Sequence, residues 1–427
     1  MTVLDLTEST HKAHCLDVLD PATGEVIGRI PAGSPDAADA AVRAARAAQP
    51  AWARTAPAER AAALKAAARR VRAHADELAE LQTREGGKPL ADSLGGVEAG
   101  IAAIEQYAEL GPLHRGRTLQ GGWDAADLMV HEPRGVVALL VPWNDPIAIA
   151  AGQIAAALVT GNAVVYKPSQ KTPLSAARLV ELLDLGDILQ VLHGDKRAAQ
   201  PLATHPGVDL VIRPGEEAAG SHLVVIDAGV DAEWAAEEVA SSAFAGAGQS
   251  CGSVERVHVH RTVAEPFLEA LAARARALRI GPGLASGTEI GPLIDDDQRV
   301  WVHRQVQDAV YEGAELLAGG EPLYGPGYFY PPTVLTGAPD DALVICGETR
   351  GPVVTVRVVD SFGEALMGSE RIGIASVLTP AHANAQRAWR ELPARTVSVN
   401  SVFSTPRPGA EPELLAAVTR TKVVHLS

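Results

Sequence analysis

Residues 136–170 read VVALLVPWNDPIAIAAGQIAAALVTGNAVVYKPSQ, and the order of elements in this stretch decides the fold. Val136 to Val141 is a continuous apolar run that stops at Pro142-Trp143-Asn144. A helical stretch over 147–159, a Gly161-Asn162 stop and a second apolar run over 163–166 follow. A strand, a crossover helix and another strand, each apolar all round, form the unit of a parallel sheet covered on both faces. The uncharged run from Pro146 to Tyr166 also approaches the ~20 residues that span a bilayer. Gln153, Thr160, Gly161 and Asn162 interrupt it, however, and it ends in a β-like AVVYK. A buried helix followed by a buried strand is the better reading, and no membrane partner is expected.

Working outward, residues 18–30 (VLDPATGEVIGRI) predict two short strands around a Pro-Ala-Thr-Gly turn. Residues 36–81 carry Ala, Leu and Val at helical spacing, and another helix is expected over 91–110. Gly116 to Val130 predicts a hairpin with Gly121-Gly122 at its turn. Downstream, strands are expected at 210–212, 223–226, 254–260, 352–359 and 396–400, with helices at 263–278 and 297–312. Residues 418–426 predict a lone terminal strand.

The 427 residues carry a formal charge of −15 and are 47% hydrophobic, the balance of a folded globular chain. The acidic surplus argues against a nucleic-acid partner, since basic groups must neutralise phosphates. Three scattered cysteines, Cys15, Cys251 and Cys346, build no disulfide framework. The opening MTVLDLTESTHKAHC has neither the basic nor the apolar part of a secretory signal. A cytoplasmic location is therefore expected.

Gly246-Ala-Gly-Gln-Ser-Cys251-Gly252 is the strongest chemical candidate. Small residues let backbone amides approach a reaction centre, and a reachable thiolate is a strong nucleophile. The alternative is a small buried cysteine in a glycine-rich turn. Gly248-Gln-Ser250-Cys-Gly252 also fits the Gly-x-Ser-x-Gly pattern of serine hydrolases, but a strong preceding strand is missing. His11, His14 and Cys15 have metal-ligating types without a further ligand cluster, and His258 with His260 alternate on one strand without an acidic partner. No metal site is expected. Neither a Gly-x-Gly-x-x-Gly after a strand nor a Walker loop is present.

Taken in order, these segments resemble the aldehyde dehydrogenase superfamily. Pro142-Trp143-Asn144, Gly161-Asn-Ala-Val-Val-Tyr-Lys167-Pro-Ser169 and Gly248-Gln-Ser-Cys251 carry the likeness. So do Gly281 to Asp295, Gly313 to Gly320, Gly327 to Leu335 and Glu348-Thr-Arg-Gly351-Pro352. The resemblance implies an α/β fold: a Rossmann-type parallel-sheet cofactor domain (1–112 and 132–224), an α/β catalytic domain (225–405) and a small β oligomerisation element (113–131 and 406–427). It further implies oxidation of a small aldehyde to a carboxylic acid with NAD or NADP. Cys251 would be the nucleophile and Asn144 the oxyanion donor. Lys167 and Glu348 would hold the cofactor, with Pro142, Trp143, Ser169 and Gln170 around it.

The sequence departs from the family pattern at several positions. The Glu-Leu-Gly-Gly-Lys block that carries the general base has no counterpart before Asp227. Arg213-Pro-Gly215-Glu-Glu-Ala-Ala-Gly220 stands for the pyrophosphate loop, bringing Glu216 and Glu217. Gln170 replaces a ribose-binding glutamate, Arg350 a phenylalanine, and Gly246 an asparagine; Ser404 to Ala410 shortens the last glycine-rich segment. Three readings stay open: an NAD(P)-dependent aldehyde dehydrogenase, alone as a homo-oligomer; a catalytically impaired subunit in a hetero-oligomer with a complete aldehyde dehydrogenase; and a thiol esterase or acyl transferase at Cys251.

Overall fold

The computed structural model describes residues 4–5, 15–123, 125–214, 221–368, 372–402 and 412–426. Val136–Leu140 and Ala163–Lys167 pair in parallel, joined by the helix Pro146–Val159. Leu189–Val191 and Leu210–Ile212 extend this sheet on either side, giving four parallel strands. The two central strands are buried along nearly their whole length, so they are apolar at every position up to Lys167 at the carboxyl end.

A seven-stranded sheet forms the second body, in the order Glu315–Ala318, Thr333–Thr336, Val353–Val359, Val254–His260, Ser221–Ile226, Ile372–Leu378, Thr396–Val399. Only its first pair is antiparallel. Strand periodicity is visible in its centre: Val224 and Ile226 join the core on one face, Leu223 and Val225 that on the other. A third, antiparallel sheet pairs Ala126–Pro133 with Arg117–Leu119 and with Thr419–Leu426. A fourth small sheet contains the hairpin Cys15–Leu19 and Val26–Pro31.

Several expectations need correction. The expected cofactor-domain limit at 224 falls inside Ser221–Ile226, a central strand of the seven-stranded sheet, so the chain changes sheets before residue 221. The terminal element also reaches further than a lone strand. Leu415 and Val418 lie in the core around the four-stranded sheet, and Asn162 Nδ2 donates to the Val418 carbonyl. The helical run at 36–81 is three helices, Pro35–Arg54, Pro57–Ala73 and Ala75–Gly86. Pro57 lacks a backbone N–H and starts a new helix at its first turn. Among the described residues no helix is long and apolar enough to cross a membrane.

Glu85 shows how deeply the helices are tied together. Its fully buried carboxylate accepts the backbone N–H groups of Leu174 (2.7 Å) and Ser175 (3.0 Å) and the Ser175 hydroxyl. It thereby satisfies orphan donors at the start of the helix Pro173–Leu183. Burial outweighs these bonds and pushes its pKa from 4.5 up to about 7. Because the folded pKa is raised, the stabilisation from a protonated Glu85 is complete below pH 4.5 and is lost as pH rises through 7. Glu85→Gln stays neutral throughout. Relative to it, the native chain should lose on the order of 3 kcal/mol across that window, read as diverging melting curves. Parallel curves would contradict the assignment.

Candidate functional site

The loop that carries Cys251 follows the helix Ala232–Phe244 and precedes the strand Val254–His260. Helix, loop, strand is the reverse of the strand–turn–helix that a serine elbow requires, and Ser250 Oγ accepts the Gly252 N–H at 3.3 Å. The hydrolase reading of Ser250 therefore falls. Gly246, Ala247 and Gly248 have φ of 56°, 56° and 66°, three consecutive left-handed residues. The glycines adopt it freely, and Ala247 carries the strain, which persists only where the surroundings enforce it. A Cβ on Gly248 would sit 2.1 Å from the Gly351 carbonyl, so only glycine fits there. Gln249 pins the loop from the other side: its Oε1 accepts the Ile294 N–H at 2.9 Å and its Nε2 donates to the Gly246 carbonyl at 3.1 Å.

Cys251 ends this turn half-buried and free. Burial pushes its pKa up, the negative charge of Asp145 pushes it further, and Arg350 opposes both. The thiol is thus protonated at neutral pH and must lose its proton to attack. The region lacking the general-base block supplies His222 instead. Its Nδ1 pairs with the Gly252 carbonyl and its Nε2 with Ser376 Oγ, and burial pushes its pKa down to about 4. With both ring nitrogens engaged, His222 holds the loop and is not placed to accept a proton from the thiol.

Asn144 comes from the other body, at the C-terminal end of Val136–Leu140 just before the helix Pro146–Val159. It is buried, and its Oδ1 has no hydrogen-bond partner. Cys251 and Asn144 therefore belong to different sheets, and Asp145, next to Asn144, is close enough to act on the thiol. Asn144 follows the carboxyl end of a parallel strand, where open α/β sheets bind ligands.

The expected cofactor residues lie along the same edge. Lys167 is buried, donates to the Pro168 carbonyl at 2.8 Å, and has its pKa pushed down to about 8 by burial. Sequence reasoning missed its neighbour His193, whose Nδ1 is buried without a partner and whose pKa is pushed down to about 4 by burial and then by Lys167. Ser169 Oγ accepts the Lys171 N–H, and Gln170 is exposed. Lys171 stands over the Trp143 ring at 5.5 Å and pairs with Asp295 at 2.6 Å, joining the two bodies. Pro142 is half-buried in the same loop.

Glu348 lies on the catalytic side, where Arg350 takes up both its carboxylate oxygens at 2.9 and 3.0 Å. Arg350 itself has a φ of 48°. Glu255 Oε1 accepts the Thr349 N–H, and Gln298 Nε2 donates to the Thr349 and Arg350 carbonyls. These anchors lie 51 to 94 residues away in sequence, too far for local spacing to reveal.

Among the described residues no His/Cys/Asp/Glu group could hold a metal ion. His258 Nδ1 bonds the Ala365 carbonyl, and His260 caps the helix Arg261–Ala277. His11, His14, Glu216, Glu217 and the segment 404–410 lie outside the described residues.

The fold is that of a family that the comparisons identify. The sequence model described as "Aldehyde dehydrogenase family" matches residues 7–225 and 216–411, and the chain belongs to that family. A betaine aldehyde dehydrogenase of Cereibacter sphaeroides is 34% identical over 420 residues, covering 92% of this chain and 86% of the relative. The 3,6-anhydro-alpha-L-galactose dehydrogenase of Streptomyces coelicolor is 34% identical over 388 residues, 82% of this chain and 77% of that one. Among solved structures, lactaldehyde dehydrogenase from Escherichia coli superposes with a TM-score of 0.93 at 28% identity, covering 98% of this chain and 97% of that one. The NAD+ complex of an aldehyde dehydrogenase from Bacillus cereus gives a TM-score of 0.92 at 28% identity, covering 99% and 94%.

Proposed function

We propose that this chain oxidises a small aldehyde to its carboxylic acid through Cys251, with NAD or NADP as the oxidant. The observation that carries this reading is that Asp145, the residue after Asn144, acts on the Cys251 thiol from the other sheet. The Cys251 sulfur bonds to the carbonyl carbon, the C=O π pair moves to the oxygen, and the thiol proton ends on that oxygen through solvent, giving a thiohemiacetal. The amide of Asn144 donates to the developing oxyanion, a contribution commonly worth about 3–4 kcal/mol. A bound dinucleotide would supply the hydride acceptor, and with the hydroxyl proton passed to water the adduct on Cys251 becomes a thioester. Water then cleaves the thioester, returning the thiol and releasing the acid.

The residues present fit a dinucleotide in part. A buried lysine and an orphaned histidine nitrogen stand together at the C-terminal edge of a parallel sheet, as a ribose hydroxyl or phosphate would require. Lys167 and His193 would hold that end, with Ser169 and Gln170 beside them. Glu348 would hold the nicotinamide ribose once Arg350 releases it. The closed Glu348–Arg350 pair and the missing general-base block favour a second reading, an impaired subunit that partners a complete aldehyde dehydrogenase.

Calorimetric titration with NAD and NADP separates the two. Micromolar binding that is lost in Lys167→Ala is the expected result. No binding up to millimolar dinucleotide would overturn the first reading and leave the second.

A further inference from the structure

Around Asp145, whose charge acts on the Cys251 thiol, lies a polar cluster that the reaction above does not use. Lys88, in the turn between the helices Ala75–Gly86 and Leu90–Leu110, forms an ion pair with Asp145; the two side chains are only 13% and 19% exposed. Asp145 follows Asn144, and its charge reaches the Cys251 thiol. Asp92 accepts the Gly246 N–H and stands within range of both Lys88 and Asp145. It is accessible to solvent, yet enough protein surrounds it for burial to raise its pKa.

Gln82 supplies the second, independent observation. It is 2% exposed on the helix Ala75–Gly86, and neither its Nε2 nor its Oε1 has a partner. A Cβ built on Gly96 would lie 3.4 Å from Gln82 Nε2 and 3.8 Å from Asp145 Oδ1, so this glycine opens the space between the amide and the carboxylate. A Cβ on Gly246 would meet Lys88 Cε at 3.4 Å, leaving the lysine free of a side chain on that flank. An unsatisfied buried amide costs free energy unless a ligand bonds it.

We infer that the Lys88–Asp145 pair and the unpartnered Gln82 amide form a specificity wall that selects short hydroxylated aldehydes over alkyl or aryl aldehydes of equal length. This rests on the reading of Cys251 as the attacking thiol. An alkyl tail against this wall removes water from a charged pair and an orphaned amide and returns no hydrogen bond. A hydroxyl donates to Asp145 or Gln82 Oε1 and accepts from Lys88 or Gln82 Nε2. The pair is already neutral as a unit, which favours an uncharged polar tail over an ionic one.

The test uses the full chain, with glyceraldehyde, propanal and 3-aminopropanal as probes. One readout is protection of Cys251 from iodoacetamide without dinucleotide; the other is kcat/KM with dinucleotide. Glyceraldehyde should outperform propanal at least about tenfold in both. Gln82→Leu and the charge-balanced double variant Lys88→Met/Asp145→Leu should bring that ratio towards one. Fold loss would depress all probes together and leave the ratio intact, so the ratio reports the wall itself. A native preference for propanal, a tenfold preference for 3-aminopropanal, or an unchanged ratio in variants that keep the native melting temperature and propanal activity would overturn the inference. Selective protection by glyceraldehyde without any dinucleotide reduction would support the wall while refuting the oxidation reading.

Discussion

Cys251→Ala should abolish aldehyde oxidation, with kcat falling by at least about 10⁴. The expectation rests on the absence of a substitute within the loop. Ser250 Oγ accepts the Gly252 N–H, and its hydroxyl has no adjacent base. Cys346 is exposed, with its thiol on the Asp340 carbonyl, and Cys15 is an exposed residue of the N-terminal hairpin. The substitution removes one sulfur from a half-buried position, so the melting temperature and dinucleotide affinity should stay close to native. That combination separates loss of chemistry from loss of fold. Activity retained in Cys251→Ala would place the reaction elsewhere.

The second large effect concerns Asn144. Asn144→Ala should lower kcat by about 10²–10³ while KM moves much less, because the amide acts mainly on charge that develops after binding. The unpartnered Oδ1 makes this a favourable test. Removing the side chain breaks no protein hydrogen bond at that oxygen, so little stability should be lost with it. Equal loss in kcat/KM for aldehyde oxidation and no change in Cys251 alkylation would complete the signature. An unchanged kcat would remove Asn144 from the oxyanion site.

The order of strands was legible wherever both faces of an element are buried. Val136–Leu140 and Ala163–Lys167 announce themselves because a fully covered strand is a near-continuous apolar run, broken only by Lys167 at its end. Ile372–Leu378 escaped notice because Gly373 and Ser376 break the apolar run, and Ser376 is kept by its bond to His222 rather than by hydrophobicity. The helix Ala232–Phe244 shows little facial contrast, since alanine occupies buried and half-exposed positions alike. Glu315–Ala318, at the sheet edge, and Thr333–Thr336 beside it are four residues each and too short for periodicity to register.

The site divides in the same way. Cys251 and Asn144 stand in short motifs whose glycine and proline content marks a reactive turn. The Glu348–Arg350 pair is only two residues apart and was in principle readable as opposite charges on one turn. Lys88–Asp145 was not, because 57 residues separate partners that meet only when two helices pack. Glu85 and Gln82 carried no signal at all, since polar residues on an amphipathic helix are ordinarily on its wet face.

The most direct measurement mixes the native chain with an aldehyde and NAD or NADP, and follows reduced nicotinamide together with the mass of the Cys251 peptide. Reduced nicotinamide formed in step with an acyl adduct on Cys251, both absent from Cys251→Ala, is the expected result. Dinucleotide bound but never reduced, with Cys251 unmodified by every aldehyde tried, would contradict it.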